Sequence, residues 1–271
     1  GHIEQGFLLN GNGATDLMQP ALTNGTAARV GALDLAMLAD IGYEIATEGS
    51  DRIVGKNYAD NLNGLDGDDN IIGNAGNDTV LGLNGNDTIY GNQNNDLLFG
   101  NIGQDLIYGG DNEDTIQGGK ENDTLLGENG NDVIYGNLGD DYCYGGAGDD
   151  IFYGGRDRDT LTGEAGNDIL SGDRGDDTLT GGTGRDTFVF RAESGIDIIT
   201  DFSVGEDIIQ VATGLGFNTG SDLLGAITST GTSTDGRRFS VLTLSPENNI
   251  TIFSNNPLTG SNFIIAGETT I

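Results

Sequence analysis

GNAGNDTVLGLNGNDTIY, residues 73–90, is two near-copies of one nine-residue unit joined end to end. With Gly73 as slot 1, the frame runs without insertion or deletion over residues 64–189, fourteen consecutive units. Behind it GKNYADNLN (55–63) fits well and ATEGSDRIV (46–54) fits loosely, which makes sixteen. Slot 6 is Asp in every unit: Asp51, Asp60, Asp69, Asp78, Asp87, Asp96, Asp105, Asp114, Asp123, Asp132, Asp141, Asp150, Asp159, Asp168, Asp177 and Asp186. Slot 8 is apolar from Ile53 to Phe188, slot 1 is Gly from Gly55 onward, and slot 4 is mostly Gly.

A period this short and this regular is the mark of a solenoid. The first six slots are rich in Gly, Asn and Asp, which tolerate positive φ, so they read as a turn. The last three, x-apolar-x, read as a short strand with its middle side chain turned inward. One unit cannot bury that side chain alone. Two units, strand-turn-strand-turn, make one coil, and stacked coils bury slot 8 between two thin parallel sheets. The expected fold is all-β: a right-handed parallel β-roll rising about 4.8 Å per coil, eight coils in about 38 Å. A short helical segment precedes the roll and a β cap follows it.

The core of such a roll is narrow, and Gly-rich turns lose much entropy on ordering. Something besides burial must hold the turns. In a two-unit coil, slot 6 of units 18 residues apart stacks on one edge, which puts Asp51 through Asp177 in one column and Asp60 through Asp186 in the other. Carboxylates about 5 Å apart repel by about 3 kcal/mol at an effective dielectric of 20. A hard divalent cation between successive turns reverses that sign. Ca²⁺ accepts carboxylate and carbonyl oxygens alike, whereas Mg²⁺ gives up its waters reluctantly. Eight Asp per column leave seven gaps, so two columns offer up to fourteen calcium sites, and fourteen ions carry +28 against a formal charge of −32.

GGAGDDIFY (145–153) and GGTGRDTFV (181–189) resemble the RTX, or haemolysin-type calcium-binding, nonapeptide. The resemblance covers about 140 residues. It implies Ca²⁺ held by the slot-6 Asp residues and turn carbonyls, and export by a type I secretion machinery through an uncleaved C-terminal signal. Slot 4 departs from Gly at Tyr58, Asn94, Asn112, Glu121 and Asp157. Asn tolerates the left-handed conformation; Tyr58, Glu121 and Asp157 fit less well and are expected to give weaker or altered sites.

Residues 1–45 do not repeat. GALDLAMLADIGYE (31–44) reads as a helix over about 32–41 stopped by Gly42. With His2 and the Leu-Met-x-Pro of Leu17 to Pro20, this segment resembles the end of a leishmanolysin-like zinc metallopeptidase domain. By that resemblance His2 is a zinc ligand and Met18 a turn residue beneath the metal. A zincin also needs H-E-x-x-H, and this chain has a single His. The chain itself is therefore not expected to be an enzyme, and Zn²⁺ belongs only to an intact parent protease. His2 as a bystander at a terminus and Met18 as ordinary packing explain the same residues.

Residues 190–271 leave the frame. GIDIITDFSVGEDIIQV (195–211) resembles the segment that closes RTX rolls, RRFSVLTLS and NITIFS read as strands around PENN, and the tail NFIIAGETTI is similar to type I export signals. The expected organisation is a peptidase-like remnant at 1–45, the calcium-binding roll at 46–189, and a cap with the export signal at 190–271.

With 43 acidic against 11 basic residues, the chain repels nucleic acid and anionic membrane. No apolar run reaches the length of a membrane span. One Cys excludes an internal disulfide; Cys143 occupies slot 8 and should face the core. Slot 9 carries Tyr90, Tyr108 and Tyr144 on one sheet and Phe99, Tyr135 and Tyr153 on the other. Such ladders could receive a sugar polymer or a surface partner, though more often they are favourable cross-strand neighbours. The expected function is a calcium-dependent folding and secretion module of a secreted, extracellular metalloprotease; the alternative is a structural or adhesive surface module.

Overall fold

The computed structural model describes residues 46–266. His2, Met18 and the helix expected near 32–41 lie outside them, as do the last residues of the tail. Strands recur every nine residues, alternating between two sheets. Asn70–Ala75, Thr88–Gln93 and Leu106–Asp111 are successive strands of the first sheet; Thr79–Asn84 and Leu97–Ile102 belong to the second. Partners are parallel and 18 residues apart in sequence: Ile71 pairs with Ile89, and Ile89 with Ile107. This is the two-unit coil expected from the period.

The strands are longer than the three residues expected. They run from slot 7 through slot 3 of the following unit, leaving only slots 4 to 6 between them. Every coil repeats the same backbone, so the first half of each turn also finds its copy one coil on. The Gly67 N–H donates to the Asn84 carbonyl at 2.7 Å, and Gly85 to Ile102 at 2.9 Å. Donors that an isolated turn would leave to water thus join the ladder.

Slot 8 forms the core. Every slot-8 side chain from Ile71 to Phe188 is fully buried, Cys143 included. Burial pushes the Cys143 thiol well above its usual range, which makes it an inert core residue. On the outer face of the roll, slot 9 aromatics stack across neighbouring strands: Tyr90 on Tyr108 at 4.9 Å and Tyr135 on Tyr153 at 5.0 Å.

The coil continues past Val189. Thr178–Thr183 pairs with Ile196–Phe202, and Thr187–Phe190 with Ile208–Ala212, so the solenoid has about nine turns. Ile196–Phe202 then pairs with Asn248–Ser254, the inner strand of an antiparallel hairpin with Arg238–Ser245, and Ile227–Thr232 adds an edge. Phe263–Ala266 extends the second sheet. A helix over Gly220–Gly225, begun by a Thr219–Asp222 capping box, packs Leu223 into the core.

Candidate metal centres in the turns

From Asp69 onward each slot-6 Asp is fixed by the coil before it. The backbone N–H of Asp69 donates to Asp87 Oδ1 at 2.9 Å, Asp78 to Asp96 at 2.7 Å, Asp114 to Asp132 at 2.8 Å and Asp159 to Asp177 at 2.8 Å. This bond recurs down both columns and sets the carboxylates in register. The structure therefore brings the sixteen predicted residues together as two stacks.

The other carboxylate oxygen has no such partner. Oδ2 is buried and unpaired in fourteen slot-6 residues, from Asp69 to Asp186. Its direction is defined by the slot-1 glycines. A Cβ built on Gly109 would lie 2.6 Å from Asp114 Oδ2 and 2.8 Å from the Gly127 carbonyl. Gly73 is the same, with Asp78 Oδ2 at 2.5 Å and the Gly91 carbonyl at 2.8 Å. A carboxylate oxygen and a glycyl carbonyl of the next coil thus converge on one small space with no donor between them. Two acceptors facing each other in a dry place is unfavourable until a cation joins them.

At the N-terminal end the arrangement differs. The backbone N–H of Thr47 donates to Asp51 Oδ2, and that of Lys56 donates to Asp60 Oδ2 at 2.6 Å. These two predicted site residues are already satisfied.

Burial raises the column carboxyls from Asp69 to Asp186 above their usual range, and nearby carboxylates add to it, against the lowering by the backbone N–H. Asp96 and Asp105 reach about 7, Asp114 and Asp123 about 8, and Asp159 about 9. As charged groups they are strongly disfavoured where they stand. The residues fit a hard cation. Slot-6 carboxylates and slot-1 carbonyls would hold it, and Ca²⁺ supplies the positive charge that lets six to eight such oxygens share one place. Among the described residues no group of three His, Cys, Asp or Glu side chains gathers into a metal site. A centre here must draw on main-chain oxygens.

Slot 4 has positive φ at most positions whether or not it is Gly, but not at Tyr58. Asn94 and Asn112 sit at φ 78° and 83°, and Glu121 and Asp157 at 74° and 78°. The last two adopt the turn in spite of the strain expected of them. Slot 2 is also left-handed, with Leu65 at 79°, Leu83 at 82° and Asn92 at 79°.

Two features were missed. Slot 5 builds a second ladder of opposite sense: Asn86 N–H donates to Asp68 Oδ1, Gln104 to Asn86 and Asn167 to Asp149. The NDT of the opening stretch already held that signal. Each column also gains a ninth member, because Asp177 N–H donates to Asp197 Oδ1 and Asp186 N–H to Asp207 Oδ1, both at 3.1 Å. Gly195-Ile-Asp197-Ile-Ile199 and Gly205-Glu-Asp207-Ile-Ile209 repeat slots 4, 6 and 8. Longer connections, 20 and 21 residues in place of 18, conceal them.

The chain's parts match one family model, the RTX calcium-binding nonapeptide repeat, in overlapping segments from residue 45 to residue 188. That is 144 of the 271 residues. No curated protein sequence matches. Among solved structures, an extracellular lipase from Serratia marcescens is similar over 60% of this chain and 40% of its own, at 18% identity and a TM-score of 0.29. A subunit of the mannuronan C5-epimerase from Azotobacter vinelandii is similar over 59% of this chain and 82% of its own, at 24% identity and a TM-score of 0.24. The match over more than half the chain, on a parallel roll whose turns converge oxygens in pairs, makes this protein a member of the RTX calcium-binding nonapeptide repeat family.

Proposed function

We propose that the chain is a folding module for export: unfolded where calcium is scarce, and ordered by calcium outside the cell. The observation that carries this is the set of fourteen buried, unpaired slot-6 Oδ2 atoms from Asp69 to Asp186. Leaving each unmatched costs desolvation energy; a bound cation removes that cost, so metal binding becomes folding free energy. The slot-6 Asp residues from Asp69 to Asp186 are the ligands in this reading. Before export, repulsion among them keeps the repeats threadable, as a type I machinery requires. Calcium then locks the coils. Equilibrium dialysis of the purified chain against millimolar calcium tests it: we expect about fourteen ions per chain, one for each unpaired Oδ2 from Asp69 to Asp186. Uptake of one or two would contradict it.

The peptidase reading of residues 1–45 rests on sequence alone. It places the roll behind a zinc protease domain in a longer parent, and an H-E-x-x-H upstream of Gly1 would support it. The chain itself, assayed on casein, is expected to be inactive. A second role, as an adhesive surface, is favoured by the Tyr90–Tyr108 and Tyr135–Tyr153 stacks; glycan-array binding would support it.

A further inference from the structure

We propose that the two sheets of the roll are complementary docking faces, so that one copy of this chain lays its second sheet on the first sheet of another. The roll must be ordered by calcium first, so the proposal rests on the calcium reading above.

Along the first sheet, slot 2 alternates strictly over five coils: Gly110, Glu128, Gly146, Glu164, Gly182. These residues are direct partners across successive strands. Along the second sheet, slot 3 runs Ile102, Lys120, Leu138, Arg156, Arg174, again paired strand to strand. Each member of this rank stands eight residues before its counterpart: Lys120 before Glu128, Leu138 before Gly146, Arg156 before Glu164. Eight residues of a two-unit coil amount to about 2 Å of rise. Two parallel copies side by side, at nearly the same height, therefore set base against acid and apolar knob against gap.

The gap at Gly146 is an open groove of about 510 Å³ between Glu128 and Glu164, lined by Leu126 and Tyr144. Ile102 and Leu138, the knobs of the basic rank, are 40% and 39% exposed. Among the described residues no ion pair engages Lys120, Arg156, Glu128 or Glu164; Arg174, at the end of the rank, is held by Glu193 at 2.6 Å. Glu128 and Glu164 also sit at φ 73° and 74°, where Gly would be unstrained. An acid kept twice at such a position, with Gly in the coils between, points to a use for the charge. The acids nearest the basic rank, Glu121 and Asp157, lie one slot further into the turn and bear on Asp123 and Asp141 of the column.

Charge complementarity names the occupant. In a chain with 43 acidic and 11 basic residues, a basic and apolar rank finds its match on another copy. Calcium on the columns removes most of the charge that would hold copies apart. A face about 38 Å by about 20 Å offers about 760 Å², against about 800 Å² per partner in a stable interface. The two faces differ and belong to different sheets, so the contact does not close on itself and copies add in rows.

Sedimentation velocity of the full chain in millimolar calcium, with circular dichroism of the same sample, tests this. The parent is expected to form concentration-dependent species larger than a dimer, which dissociate in about 1 M salt. The double variants Lys120→Glu/Arg156→Glu and Glu128→Lys/Glu164→Lys should each sediment as monomers with an unchanged β spectrum. Mixed one to one they should associate again, since every acidic face then meets a basic one. A parent that stays monomeric with a β spectrum, a reversal that associates like the parent, or a mixture that stays monomeric would overturn the docking. Should a reversal not fold, Leu138→Asp decides: a monomer supports the docking, and association like the parent's overturns it. A parent that stays disordered in calcium overturns the calcium reading, and the docking with it.

Discussion

Glycine serves two separate ends within each unit. At slot 2 from Leu65 on, and at most slot-4 positions, φ is positive; Gly avoids the strain of a Cβ there and Asn tolerates it. At slot 1 the backbone is ordinary, and Gly is needed for room: a side chain there would fill the space into which Asp Oδ2 and the next carbonyl point. The two roles predict opposite outcomes for two substitutions. Gly109→Ala should displace Asp114 Oδ2, lose roughly one bound ion, and destabilise the roll by about 1–3 kcal/mol. Leu65→Asn, at φ 79° with a side chain 38% exposed, should stabilise it by about 1 kcal/mol. Urea melts in excess calcium would show both. A neutral Gly109→Ala would remove the space argument.

Each strand contributes one inward side chain, so the core is a stack two residues wide. Phe152 is fully buried between Ile134 and Leu170 of the adjoining coils. Phe152→Ala should cost about 3–5 kcal/mol. Because coils touch only their neighbours, the rise in amide exchange should be confined to the coils around residue 152; a uniform rise along the whole chain would contradict the solenoid energetics. The roll itself was legible in the sequence because slot 6 and slot 8 recur in an unbroken frame. Strand length was not, since pairing of slots 1 to 3 arises from one coil lying on another and leaves no mark in a single unit. Asp197 and Asp207 escaped the frame because two or three inserted residues shift the count while the carboxylates still stack. The hairpin at 238–254 was visible from its alternation, but Ile227–Thr232, with Thr, Ser and Gly among its residues, carries too little apolar periodicity to be seen.

Over the whole molecule the formal charge of −32 must be met by cations or by protons. The column carboxyls from Asp87 to Asp186 have folded-state values raised to between about 6 and about 9, against a usual value near 4. Between those limits the metal-free fold binds more protons than the unfolded chain, so its stability is greatest in acid and is lost as pH rises through the raised values. Calcium-depleted chain should therefore gain β-structure on acidification from pH 8 toward pH 4, and an unchanged spectrum would show that repulsion is not what keeps it open. The same principle gives the most direct measurement. Far-UV circular dichroism is recorded at pH 8 in a calcium chelator and again after calcium is added to millimolar excess. The account predicts a disordered spectrum that converts cooperatively to β-structure with calcium; a fully ordered β spectrum in the chelator would contradict it.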